Sequence, residues 1–181
     1  RTVATTQAGR ELTPAHRIQQ VQLAEDTRLE AAALLSLLDP DNLPGTRPAW
    51  LASTLMLLRS RWRQSQTLAG LYLSEFRAAE TGSSLGPVVE LDFPDAHYGT
   101  KLDTLATPET VLDPGDIEWM KQAERAILAE AARGALAGGR STLDRSARAQ
   151  RVRYRRVTDG NPCAFCAMLA GRGPVYSEET G

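Results

Sequence analysis

The sequence predicts a mainly α-helical protein, and three observations carry that prediction. Leucine and alanine are plentiful while aromatic residues make up only 6% of the 181, a balance that favours helix over sheet. Two long stretches place apolar residues at alternating steps of three and four, which is helix period. Prolines and glycines gather between these stretches, as they do in connections. The apolar fraction of 42% suffices for a buried core and excludes wholesale disorder. The full expectation is a long helical hairpin or bundle, an extended middle segment, and a small carboxyl-terminal α+β module carrying a C-x-x-C turn.

The elements follow in order. Residues 1–12 are polar and read as loose. Thr13-Pro14 supplies a capping hydroxyl and then a proline at the first helical position, so a helix is expected from there to Leu38. Its seam reads Val21, Ala24, Arg28, Ala31, Leu35 and Leu38, with Arg28 as a polar intrusion. Three prolines and Gly45 between Pro40 and Pro48 make a tight connection. Thr46-Arg47-Pro48 opens a second helix that runs to about Ala79 and is roughly 48 Å long. Leu51, Leu55, Leu58, Trp62, Ser65, Ala69, Tyr72, Phe76 and Ala79 form its seam. Residues 1–79 therefore read as a helical hairpin. Leu57, Leu68 and Leu71 widen the apolar face and call for a third packing element. The seam suits the core of an internal bundle or, alternatively, an intermolecular coiled coil.

Residues 80–115 break the helical pattern with Gly82, Gly86-Pro87, Pro94, Gly99, Pro108 and Pro114-Gly115. Val88–Phe93 reads as a short strand or an extended arm. A segment this long either lies across a partner or packs as a surface loop on its own chain. A third helix is expected over 116–139, with Ile117, Met120, Ile127, Ala131 and Gly134 on one face and Gly138-Gly139 as its stop. Glu124 interrupts that face, and Glu118, Glu124 and Glu130 read as the polar side of the helix. Residues 140–181 form the basic module. Ser141-Thr142-Leu143-Asp144 resembles a capping box and starts a short helix to about Ala149. A strand follows, in which Val152 and Tyr154 alternate with arginines.

Net charge is −1, yet it is unevenly spread. Arg140, Arg145, Arg148, Arg151, Arg153, Arg155 and Arg156 face a single acid, Asp144, between positions 140 and 156. That stretch carries +6, which leaves −7 for the rest of the chain. Such a cluster suits contacts to phosphates, to the carboxylates of a neighbouring subunit, or to solvent alone. No run of eighteen apolar residues exists, so no membrane span is expected. The start lacks a secretory signal pattern, and two cysteines do not make a secreted disulfide framework. Cytoplasmic assembly is the default.

Cys163 and Cys166 follow the Asn161-Pro162 turn. Their spacing supplies half of a tetrahedral zinc site, and zinc normally takes two more ligands. The two histidines, His16 and His97, lie far upstream. An incomplete zinc knuckle, a thiol redox pair and a pair of inert buried thiols are the readings left open. No P-loop, G-x-G-x-x-G, H-E-x-x-H or supported Ser-His-Asp set occurs, and His97 beside Asp95 and Tyr98 reads as structural or solvated. An enzyme with a small-molecule substrate is not expected. The chain begins at Arg1 and ends at Gly181, and reads as a piece of a longer polypeptide.

The stretch Arg155-Arg156-Val157-Thr158, then Pro162-Cys163-Ala164-Phe165-Cys166-Ala167-Met168-Leu169-Ala170-Gly171 and on to Tyr176, resembles the MuF-type minor head proteins of tailed bacteriophages, in particular the versions from phages of actinobacteria. The close match spans about thirty residues. The resemblance implies a structural virion protein inside the phage head. Its expected partners are the portal protein, the major capsid protein and packaged DNA, and its expected roles are assembly, packaging or ejection. It also implies a metal site in which only Cys163 and Cys166 can be placed.

Overall fold

Thr6, seven residues earlier than expected, starts the first helix. Its side chain accepts a hydrogen bond from the Gly9 amide, and α1 spans Gln7–Leu34 with Pro14 inside it. The computed structural model describes residues 6–107 and 117–150 and is mainly helical. Two single-turn 3-10 pieces, Leu35–Leu37 and Pro40–Asn42, reverse the chain. The Asp39 carboxylate accepts from the Asp41 amide, and the Asn42 side chain accepts from the Gly45 amide. Asn42 thereby caps α2, which spans Leu43–Thr81 and starts earlier than the Thr46-Arg47-Pro48 signal suggests. Its 39 residues make a rod of about 58 Å. Gly82, at φ 75°, takes the left-handed position that ends α2, and its N–H donates to the Ala78 carbonyl.

Residues 83–94 then run extended as a strap. Helix α3 spans Asp95–Leu105, and α4 spans Ile117–Ala149. Side-chain pairs set the directions. Gln20 meets Ser65, Thr13 meets Tyr72, and Glu30 pairs with Arg61, so α1 is antiparallel to α2. Gly138 meets Trp62, Gly139 meets Ser65, and Gln150 meets Arg77, so α4 is parallel to α2. The strap and α3 return along both: Pro87 lies at Arg77, Leu91 at Gln66 and Trp62, Asp95 at Arg59, and Asp103 at Arg47. The result is a bundle whose third position is half strap and half helix.

The large apolar residues gather at the end near the α1–α2 turn. Trp50, Leu58, Leu102 and Ile127 are fully buried there, with Trp62, Tyr98 and Leu128 beside them. Leu91 and Phe93 of the strap pack on the same cluster. Phe93 stacks on Tyr98 with ring centres 5.1 Å apart, and Trp62 stands edge-on to both. The Trp62 indole N–H donates to the Leu91 carbonyl at 3.0 Å, which satisfies the one polar atom of that ring.

Three expectations need correction. The first concerns Gly138-Gly139. The helix expected to stop there continues to Ala149, and the short basic helix is its last part. These glycines mark the closest approach of α4 to α2. A Cβ at Gly138 would lie 2.5 Å from the Trp62 carbonyl oxygen, and one at Gly139 2.6 Å from Ser65 Oγ. Thr142, read as part of a capping box, is instead fully buried in the same interface. The second concerns the seam of α1. Leu23, Thr27 and Ala31 face the core, whereas Val21 is 58% exposed and Arg28 pairs with Glu25 on the surface. Ala31, Leu35 and Leu38 of the expected seam do pack on the core, so periodicity is right for the second half of the seam and wrong at Val21, where aliphatic residues lie on both faces of α1. The third concerns residues 80–115. The middle segment is not wholly extended, since α3 lies within it and carries Gly99 in its interior. The strap packs on its own chain, the second of the two arrangements the sequence left open. The α2 seam is as expected through its centre, where Leu58, Trp62, Ser65 and Ala69 are buried. Residues 151–181, with the expected strand and the C-x-x-C turn, lie outside the described residues.

The two kinds of glycine separate in a stability measurement. Gly138→Ala should cost about 3 kcal/mol, because the added methyl meets backbone that cannot step aside. Gly82→Ala, with nothing within 4 Å, should cost about 1 kcal/mol from its left-handed φ alone. Urea unfolding followed by circular dichroism reads both.

Candidate functional site at the strap end of the bundle

Away from the aromatic core, the α2–α4 interface is built from small residues. Ala69 on α2 and Gly139, Thr142, Ser146 and Ala147 on α4 are all buried. Side chains this short let backbone and polar groups enter the interface. Three helices meet at one polar knot. The Gly139 amide donates to Ser65 Oγ at 2.9 Å, Ser65 Oγ donates to Gln20 Oε1 at 2.8 Å, and Gln20 Nε2 donates back to the Ser65 carbonyl at 3.2 Å. The strap is fastened beyond this knot. The Val89 amide donates to Ser146 Oγ at 2.8 Å, and Gln66 Nε2 donates to the Leu91 carbonyl at 2.9 Å.

Arg77 lies beneath the strap and is only 9% exposed. Its Nη2 donates to the Pro87 carbonyl at 2.7 Å, and its Nε donates to Gln150 Oε1 at 3.0 Å. Gln150 is itself anchored, through Nε2, to the Ser146 carbonyl at 2.8 Å. Nη1 has no hydrogen-bond partner among the described residues. Both partners of the guanidinium are neutral, and burial lowers its pKa. Gly86 covers the group from outside. A Cβ there would lie 2.9 Å from Arg77 Cζ, and its φ of 156° favours glycine as well.

The arginine cluster starts at this end of α4. Arg140, Arg145 and Arg148 are exposed. Arg148 pairs with Asp144 one turn earlier at 3.2 Å, a surface contact worth a few tenths of a kcal/mol at most. Arg140 and Arg145 have no ion pair among the described residues. Arg148 stands in the last turn of α4, where the helix dipole favours a cation. Arg151, Arg153, Arg155 and Arg156 follow directly, outside the described residues.

The amino-terminal end of α1 closes the same region. His16 stacks on Tyr72 with ring centres 4.6 Å apart, and Thr13 Oγ1 and the Tyr72 hydroxyl are hydrogen-bonded at 3.0 Å. Burial lowers the His16 pKa, and its Nδ1 is unpartnered. Thr6 donates through both its amide and its hydroxyl to the Glu80 carboxylate, which ties the start of α1 to the end of α2.

The remaining candidates stand apart. His97 is exposed and meets Tyr98 edge-on at 5.1 Å. Glu130, expected on a polar face, is 3% exposed and holds Lys101 at 2.9 Å and Arg133 at 2.9 Å. Burial, and then the Glu130 charge, push the neighbouring Tyr98 hydroxyl pKa up. No group of three His, Cys, Asp or Glu residues that could hold a metal occurs among the described residues. Cys163 and Cys166 lie outside them. No helix among the described residues is long and apolar enough to cross a membrane. Sequence reasoning missed Arg77, Gly86, Ser146 and Gln150, which it read as ordinary helix and loop positions. The one available signal was a Gly-Pro pair nine residues beyond an arginine near the end of a long helix.

The VG15 protein family matches residues 7–181. The chain belongs to that family. VG15 membership supports a phage protein, as the MuF-like resemblance implied, and does not extend to the MuF type itself. The matched span includes the bundle, the strap and the arginine and cysteine segment beyond Gln150. No curated protein and no solved structure matches the chain significantly.

His16 makes stability depend on pH. Its lowered folded pKa means that the unfolded chain takes up the proton first as pH falls. The contribution is therefore complete above the ordinary value of 6.5 and declines as pH falls below it. The urea midpoint should drop between pH 7.5 and 5.5, and His16→Phe, which keeps the stack on Tyr72, should flatten that part of the curve.

Proposed function

We propose that this VG15-family protein is a structural minor capsid protein of a tailed bacteriophage. In this reading it lies inside the head near the portal, contacts the portal or major capsid protein, and assists assembly, DNA packaging or ejection. The observation that carries the reading is the family match across nearly the whole chain, which supports a phage protein. The bundle suits such a role physically. Parallel α2 and α4, locked backbone to backbone, make a stiff rod that holds its two ends at a fixed separation. The work is then mechanical positioning rather than turnover of a substrate.

A second activity goes with it, contact with packaged DNA through the arginines. Arg140 and Arg145 are exposed with no carboxylate of the described residues to neutralise them, and that favours phosphate contacts. We also propose that Cys163 and Cys166 supply two thiolate ligands to zinc.

Purified phage particles should contain the protein, and cryo-electron microscopy should place it at the portal vertex. Its absence from both mature and immature heads would overturn the capsid reading. Binding of DNA should weaken steeply with salt, and Arg140→Glu with Arg145→Glu should reduce the slope of log affinity against log salt by about two. An unchanged slope would remove the DNA contact while leaving the capsid reading intact.

A further inference from the structure

The opposite end of the bundle carries an apolar hollow of about 150 Å³. Leu35, Leu38 and Leu43 from the α1–α2 turn form one wall, and Trp119, Met120 and Ile127 of α4 form the other. Met120 is 40% exposed. A cavity of about this size, lined by aliphatic groups, takes a benzene-sized ring. Acids border it. Pro40 lines the hollow with Asp39 and Asp41 on either side of it in the chain, and Glu124 lines the α4 wall. All three carboxylates are exposed and lack an ion pair among the described residues. Lys121 and Arg125 are the cations on the same stretch of α4, against these three acids. The nine residues joining Thr107 to Ile117 add Glu109, Asp113 and Asp116 to the sequence and no base.

The chain itself contains a matching ligand. Arg151-Val152-Arg153-Tyr154-Arg155-Arg156 sets one aromatic ring among arginines. The other aromatics beyond Gln150, Phe165 and Tyr176, have no arginine within two residues. Tyrosine suits such a pocket, since its ring fills apolar space and its hydroxyl can stay at the wet rim. A chain cannot serve its own hollow. Trp119 and Gln150 are separated by about 46 Å of helix. Tyr154 is four residues past Gln150 and reaches at most about 14 Å from it.

We propose that the protein associates head to tail with a second copy of itself, with Tyr154 of one molecule seated in the Leu38–Met120 hollow of the next. Arg153 and Arg155 then meet Asp41 and Glu124 across the rim. The contact is heterologous, so repetition gives a ring if the rotation closes and a filament if it does not. It goes beyond the capsid reading and stands without it.

Sedimentation velocity on the full chain tests it. The wild type should associate at low salt and dissociate as salt screens the rim charges. Tyr154→Ala should weaken association about thirtyfold, as loss of a buried aromatic anchor does. Asp41→Arg with Glu124→Arg should do the same. Asp41 and Glu124 are exposed, and unchanged circular dichroism checks that each variant is folded. Mixing the two variants decides the geometry. One keeps a working hollow and the other a working tail, so an equimolar mixture should form dimers and nothing larger. A wild type that stays monomeric at every salt concentration, association that survives both variants, or a mixture that stays monomeric would each overturn the proposal.

Discussion

The contact between Gly138-Gly139 and the backbone at Trp62 and Ser65 governs the rest of the structure. Without side chains at those two positions, α4 comes close enough for its own amide to reach a hydroxyl on α2. The same hydroxyl is held by Gln20, so one group sets the spacing of three helices at once. From that contact on to Gln150 at Arg77, α4 runs parallel to α2. Parallel neighbours cannot be joined by a tight turn, so the chain must travel back along the whole bundle before α4 begins. The strap and α3 make that journey. Its necessity follows from the parallel arrangement, and the burial of Arg77 follows from the strap.

The bundle is divided along its length. Tryptophan, leucine and isoleucine fill one end, where burial of large side chains supplies most of the stabilisation, about 1.5–3 kcal/mol for each aliphatic or Phe-sized residue. The other end is narrow, polar and charged. A buried guanidinium bound only to neutral acceptors is a costly group to retain. It holds there because the Pro87 carbonyl and Gln150 face it from two separate elements, and so it joins α2, the strap and α4. That end also releases the arginine-rich segment. Stability and surface chemistry are thus separated on one rod.

Much of this was legible in the sequence, and the failures have identifiable causes. The centre of the α2 seam was correct because Leu58, Trp62, Ser65 and Ala69 repeat at the period of the helix and no competing stripe exists. In α1 a competing stripe does exist, since Ile18, Val21 and Leu29 are aliphatic and exposed, and pattern alone cannot choose between two such faces. Paired glycines signal a helix stop or a backbone contact with equal force, and only the partner helix decides. Pro94 and Gly99 hid α3, although Tyr98, Leu102 and Leu105 within it step by four and three. Glu130 looked like a surface acid because its two cations, Lys101 and Arg133, are brought to it by folding and neighbourhood on the helix rather than by any motif. Of the candidate site, the arginines on α4 were readable from composition. Arg77 was not, because its role depends on a strap whose path only the tertiary structure reveals.

The extended strap also works as a ruler. Its twelve residues cover about 40 Å and the eleven of α3 about 16 Å, together close to the 58 Å or so of α2. There is little slack. Inserting or deleting a residue between 83 and 94 would slide α3 along α2 and carry Asp95 and Asp103 away from the arginines that hold them, Arg59 and Arg47. The solvent-facing letters of that stretch can therefore change without moving the helix, while its count of residues is set by the length it has to span.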